Sequence, residues 1–284
     1  MSGPTIGLAL GGGGARGFAH IHALEAFDDL GLRPNVVAGT SMGAIVGAAY
    51  AAGMSGADVL DFAQERFRNR LRLTADLLRM KPENARQFLD HGGLRLGEIN
   101  VERVITVLLP RSFPTDFRHL VTPLKVIATD FHDRSEHVFE SGPLIPALAA
   151  SSAIPALFRP VMVDGTVYID GGTTNPTPFD RLSGVVDIVV AVDVCGWPRG
   201  TRGMRHRKLD VLTSSTQIMQ QSITRAKAAL CRPDILLKPD MSGIRIHDFM
   251  KLKAILLATR PLRETLKKEL DVALERHAAS CRAS

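Results

Sequence analysis

Two strand–turn–helix units follow one another in the first fifty residues, and few folds accommodate that arrangement. Residues 5–10 form a short apolar run that Gly11, Gly12, Gly13 and Gly14 interrupt. From Gly17 onward, Phe18, Ile21, Leu24 and Phe27 recur at helical spacing until Gly31 ends them. Residues 35–38 read as a second buried strand, and Gly39-Thr40-Ser41-Met42-Gly43 turns it into an alanine-rich helix over 44–52. Strands joined through helices must run parallel, and a parallel sheet is covered on both faces, so the chain is expected to be α/β.

The rest of the sequence fits that class. Residues 58–107 are helical in pattern and charged, with Arg66, Arg68, Arg70, Arg72, Arg79 and Lys81 close together. Strands resume at 124–128 and 136–139. A small-residue helix over 145–153 stops at Pro155, and a hairpin over 161–169 leads to Asp170-Gly171-Gly172. The last strongly apolar run is 185–192. Residues 199–208 are a basic loop without a carboxylate, and from Leu209 the pattern is mostly helical, ending in an amphipathic tail over 249–277. No Pro/Ser-rich linker breaks the sequence, so 1–284 is expected to be one domain, with a core over 5–198 and an extension over 209–284.

Composition removes several classes. At 45% hydrophobic and 23% charged residues the chain can bury a sizeable core, which excludes wholesale disorder. Three scattered cysteines without a Cys-x-x-Cys pair argue against a disulfide framework and favour a reducing compartment. No His-Glu-x-x-His or other ligand cluster implies a metal. The first residues lack a signal-peptide pattern, and no apolar stretch reaches membrane-spanning length, so a cytoplasmic protein is expected. A net charge of +6 permits contact with an anionic membrane surface through the basic segments. With 5% aromatic residues and no reading motif, nucleic acid is not an expected partner.

The chemistry gathers at the glycine turns. Gly39-x-Ser41-x-Gly43 fits a nucleophile elbow, in which a serine stands exposed on a tight strand-to-helix turn and the following helix offers its free N–H groups to a developing oxyanion. The same string also fits an ordinary glycine turn. Gly12-x-Gly14-x-x-Gly17 matches a dinucleotide fingerprint, yet the second strand ends in Gly39-Thr40-Ser41 where a ribose-binding carboxylate would belong. An oxyanion hole built from Gly12, Gly13, Gly14 and the Met42 N–H is the better fit, since both turns lie at the carboxyl ends of neighbouring strands. Asp170 is the candidate base, although such a residue also serves as a turn aspartate bonding its own backbone. His20, His22 and His247 offer a triad alternative without convincing local context.

These residues resemble a bacterial patatin-like phospholipase. The resemblance rests on LALGGGGARGFAHI (8–21), VAGTSMGAIVG (37–47), LKVIATD (124–130), AASSAIPALFRPV (149–161) and YIDGGTTNP (168–176), in the family's order over roughly two-thirds of the chain. It implies a three-layer α/β/α fold with a mainly parallel sheet, and a lipid acyl hydrolase using a Ser-Asp dyad and no cofactor. On that basis Ser41 is the nucleophile, Asp170 the base, and Gly12 to Gly14 the oxyanion donors. Arg16 anchors their loop, and Gly39, Gly43, Gly171 and Gly172 support the two turns. The substrate would be a lipid ester. Acyl transfer by the same dyad, a non-catalytic lipid- or partner-binding regulator, and a nucleotide-dependent oxidoreductase are the alternatives. The sequence departs from the family at Ile21-His22-Ala23-Leu24 and matches it only loosely beyond Arg199.

Overall fold

Short strands buried along nearly their whole length build the centre of the molecule. A computed structural model describes residues 3–68, 100–110, 112–155, 157–196 and 208–283. In chain order they form β1 (Ile6–Leu10), a 3-10 turn (Gly14–Ala19), α1 (His20–Asp29), β2 (Val36–Thr40), α2 (Met42–Ala51), α3 (Gly56–Arg68) and α4 (Val101–Leu108). These are followed by β3 (Leu124–Asp130), β4 (Ser135–Phe139), α5 (Leu144–Ser151), β5 (Val161–Val163), β6 (Thr166–Asp170) and β7 (Ile188–Val192). The chain ends with α6 (Lys208–Leu230), β8 (Ile235–Leu237), α7 (Leu252–Thr259) and α8 (Pro261–Ala283). Arg70, Arg72, Arg79, Lys81 and residues 199–207 of the basic loop lie outside the described residues.

The eight strands form one mixed sheet. β1 pairs in parallel with β2 and β7, β2 with β3, and β7 with β8, while β4 and β6 run antiparallel to β3. The period of two sorts side chains to its faces. Ile6, Leu8, Leu10, Val37, Val126, Val190 and Val192 point into a large core shared with every described α-helix except α6. On the other face Ala9, Val36, Ala38, Val189 and Ala191 meet Phe179 and Leu182, with Ala228 of α6 packed against them. Small residues on this second face let the 3-10 turn Phe179–Arg181 lie close to the strands. The result is the expected three-layer α/β/α arrangement.

Two local features depart from the sequence pattern. The first helix opens with a 3-10 turn rich in glycine and alanine, and the C-terminal part contributes β8, a strand of three residues that parallel pairing with β7 supports. β8 is too short to carry a strand pattern of its own. α8 docks on α1 through Leu262, Leu266 and Leu270, spaced four apart and buried, and Arg263 clamps Asp29 with two hydrogen bonds of 2.6 and 2.7 Å.

Strand register brings two distant chain segments to one place. Val126 and Ile127 pair with β2 and β4 at once, and Ala128, Thr129 and Asp130 pair with β4 and β6 at once. β2 and β6 therefore occupy the same edge of β3, end to end and running in opposite directions. Thr40 faces Ile127 and Asp170 faces Ala128, so the two segments leave the sheet at adjacent positions.

Candidate active site

At the end of β2 the backbone kinks sharply. Ser41 has φ 53° and ψ −123°, outside the regions a side-chain-bearing residue ordinarily occupies, and its carbonyl accepts from Ala44 and Ile45 N–H to start α2. Its own N–H donates to the buried Ser151 Oγ at 2.8 Å. The flanking glycines are required by contact. A Cβ on Gly43 would stand 2.1 Å from the Leu10 carbonyl oxygen, and one on Gly39 would stand 2.5 Å from Ala44 Cα.

Asp170 comes to this turn from the opposite direction. The β5–β6 hairpin closes on Asp164-Gly165, both at positive φ, a turn whose twist suits the two strands. β6 then delivers Asp170, whose N–H donates to the Ala153 carbonyl at 3.0 Å and whose Oδ1 accepts from Gly172 N–H at 2.7 Å. The Ser41 side chain stands close enough to the Asp170 carboxyl to pull its pKa down. Burial raises the Asp170 pKa to about 6, against the opposing effect of the Ser41 side chain and the Gly172 hydrogen bond. Gly171 and Gly172 form the short turn that follows.

The glycine loop lies over the serine: a Cβ on Gly12 would sit 3.3 Å from Ser41 Cβ. Gly12 N–H, expected as an oxyanion donor, instead donates to the Pro176 carbonyl at 2.9 Å, so the loop's own architecture claims it. Gly13, Gly14 and Met42 N–H have no acceptor among the described residues. Gly14 adopts φ 56°, and a Cβ there would meet the Ile246 carbonyl oxygen at 2.3 Å, because that same oxygen accepts from Ala15 N–H. Arg16 is buried beneath the loop, donating through Nε to the Ile244 carbonyl at 2.9 Å and through Nη1 to the Cys195 carbonyl.

The histidines are occupied elsewhere. His20 Nε2 bonds the Gly11 carbonyl at 2.7 Å, and full burial lowers its pKa to about 4, which fixes the neutral ring as donor. His22 bridges Glu25 and the Leu256 carbonyl, and His247 is exposed. Among the described residues no cluster of His, Cys, Asp or Glu could hold a metal ion, and no helix is long and apolar enough to cross a membrane.

Four residues that support the site leave too little local signal to be found from the sequence. Ser151 holds the Ser41 amide. Ile244 and Ile246 brace the glycine loop from the C-terminal side. Asn175 ties the two turns together: its carbonyl accepts from Thr40 Oγ1 at 2.8 Å, and its Nδ2 donates to Glu136 and Asp180, where Lys227 and Arg181 also converge. Ser151 and Asn175 lie in recognisable small-residue blocks, but nothing local marks their partners.

A family model described as patatin-like phospholipase matches residues 8–183. An uncharacterised NTE family protein of Mycobacterium tuberculosis is 34% identical over 200 residues, covering 70% of this chain and 51% of that one. The chain thus spans about half the length of these mycobacterial relatives. A lysophospholipase, nte1, of Aspergillus fumigatus is 27% identical over 203 residues, covering 68% of this chain and 12% of that one. The crystal structure of VipD from Legionella pneumophila superposes with a TM-score of 0.45 at 13% identity, covering 93% of this chain and 67% of that one.

Proposed function

The chain belongs to the patatin-like phospholipase family, and from that premise we propose that it is a serine lipid acyl hydrolase with Ser41 as nucleophile and Asp170 as its base. One observation carries the reading. The pairing of β2 and β6 along one edge of β3 brings Ser41, on a strained turn, beside a carboxyl group whose basicity burial has increased. The reaction then runs in two steps. Asp170 takes the Ser41 proton as Oγ attacks an ester carbonyl, and it returns that proton to the departing alcohol. Water, deprotonated in turn by Asp170, attacks the acyl-serine, and Asp170 returns that proton to Ser41 Oγ as the fatty acid leaves. The N–H groups of Gly13, Gly14 and Met42 are the donors for the oxyanion, and Arg16 keeps their loop in place.

A carboxylate is a weaker base than imidazole, which suits esters, whose leaving alkoxide needs less proton assistance than an amine. At pH 7 a carboxyl group with pKa about 6 is about nine-tenths ionised, so the base is available. Entry of β8 into the sheet and the Ile246 contact with the glycine loop support reading residues 1–284 as one domain.

The test is fluorophosphonate labelling together with hydrolysis of lysophospholipid and glyceride esters by the wild type, Ser41→Ala and Asp170→Asn. Both variants should fold and lose at least about a thousandfold in hydrolysis, and Ser41→Ala should not label at all. Activity retained by either folded variant removes the dyad.

A further inference from the structure

A cluster of four charges, two of each sign, adjoins the turns that carry Ser41 and Asp170, and Asn175 joins it to them. The Asn175 N–H donates to the Gly171 carbonyl at 2.8 Å, and its own carbonyl accepts from Thr40 Oγ1 at 2.8 Å. One residue therefore holds the chain neighbour of each candidate catalytic side chain. Asn175 is completely buried, and its Nδ2 donates to two carboxylates at once, Glu136 Oε1 at 2.9 Å and Asp180 Oδ1 at 2.8 Å. Turned over, the amide would aim its oxygen at both of them, so the carboxylates fix its orientation even though Oδ1 has no donor among the described residues.

Two carboxylates can share that amide only while cations offset them. Arg181 Nε donates to Glu136 at 2.7 Å, and Lys227 Nζ donates to both, to Glu136 at 3.1 Å and to Asp180 at 2.7 Å. Burial pushes the Glu136 pKa up, but hydrogen bonds from Arg181 and Asn175 and the charges of Lys227 and Arg181 outweigh it and keep the group ionised. Glu136 belongs to β4, and Asp180 and Arg181 to the 3-10 turn Phe179–Arg181, whereas Lys227 is brought by α6. The same helix bears on the turn after Asp170: a Cβ on Gly172 would stand 2.5 Å from Gln220 Nε2, about two helical turns before Lys227.

We propose that Lys227 is a positioning residue for Ser41 and Asp170, holding their two turns together through Asp180, Glu136 and Asn175, so that α6 is part of the catalytic framework. The proposal rests on the reading of Ser41 and Asp170 as nucleophile and base. Without the Lys227 charge, two carboxylates converge on one amide with only Arg181 to offset them, and their repulsion drives one away. Asn175 then loses half of what orients it, and the tie from Thr40 to Gly171 slackens. Reacting groups that drift from alignment lose rate rather than affinity. A cluster that merely fastened α6 to the sheet would, when broken, lower the melting temperature and leave each folded molecule as fast as before.

The experiment compares fluorophosphonate labelling rates, ester kcat and KM, and thermal melts for the wild type, Lys227→Met and Lys227→Arg. Folded Lys227→Met should label and turn over about ten- to a hundredfold more slowly, with KM within about twofold of wild type. Lys227→Arg, which keeps the charge, should recover most of the loss. Asn175→Ala and the double variant complete a cycle: adding Lys227→Met to Asn175→Ala should slow labelling by less than about twofold, because the route is already cut. Lys227→Gln stands in for Lys227→Met, and Asp180→Asn for Asn175→Ala, if either fails to fold. Wild-type rates in folded Lys227→Met, a loss that Lys227→Arg does not recover, or losses that multiply in the double variant overturn the proposal and leave the nucleophile reading standing. A wild type that neither labels nor hydrolyses esters removes that reading, and the positioning role with it.

Discussion

The backbone N–H of Ser41 is anchored on the hydroxyl oxygen of Ser151, 2.8 Å away and fully buried at the end of α5. A serine at φ 53° is held against a cost of about 1–3 kcal/mol, and that anchor is one of the contacts that holds it. Ser151→Ala is therefore expected to lower stability by about 1–3 kcal/mol and to slow fluorophosphonate labelling more than it changes KM. Ser151→Thr, which restores an acceptor, should recover much of the labelling rate. Denaturant titration and labelling kinetics read both, and wild-type labelling in folded Ser151→Ala would show that the anchor does not tune the nucleophile.

With Asp170 as the proposed base, its pKa, raised to about 6 by burial, gives an expected pH dependence. Ester kcat/KM should climb about tenfold per pH unit on the acid side and level off above a midpoint near 6. Stability moves the other way. The folded state holds this proton more tightly than the unfolded chain does, so ionisation between about pH 4 and 6 costs up to about 3 kcal/mol. Asp170→Asn should consequently be inactive yet more stable than wild type at pH 7. A midpoint near 4 in the rate profile would contradict the buried base.

His20 supplies the opposite slope. Its pKa falls from 6.5 to about 4 in the folded protein, so the stability it confers is complete above pH 6.5 and is lost as pH drops toward 4. The loss should approach about 3 kcal/mol, and it partly cancels the Asp170 contribution in the wild type. Comparing His20→Asn with wild type from pH 4 to 8 separates the two, and parallel curves would mean the buried ring does not titrate as described.

Gly43 and Gly31 give a paired test of why glycine is present. Gly43→Ala drives a Cβ to 2.1 Å from the rigid Leu10 carbonyl, whereas at Gly31 nothing lies within 4 Å and only the positive φ resists a side chain. Gly43→Ala should cost about 3 kcal/mol or more and abolish labelling, while Gly31→Ala should cost about 1 kcal/mol with labelling intact. Thermal melts with activity-probe labelling measure the difference.

What is legible in the sequence is what local chemistry writes. Gly39-x-Ser41-x-Gly43 must make a tight turn, Asp170-Gly171-Gly172 must end a strand, and unbroken apolar strand runs must be covered on both faces. What is illegible is carried by backbone atoms. Any residue at 246 offers a carbonyl, so Ile246 leaves no trace of its bond to Ala15. The Gly12 N–H reads as an oxyanion donor although it bonds Pro176, because a glycine's letter does not say where its amide points. Likewise the end-to-end placement of β2 and β6 on one edge of β3 comes from strand pairing, and neither segment encodes it alone.

The brace from Ile244 and Ile246 has a consequence for biosynthesis. Arg16 and Ile244 lie 228 positions apart, so a ribosome emits the glycine loop long before the carbonyls that secure it. A nascent chain carries the serine, and soon the aspartate, without a finished cradle for the reacting oxygen. A chain ending at residue 240 should accordingly react far more slowly with a fluorophosphonate than the full chain, and equal reactivity would refute this. The cradle around the proposed nucleophile would then be completed only once residues 244 to 246 have been made.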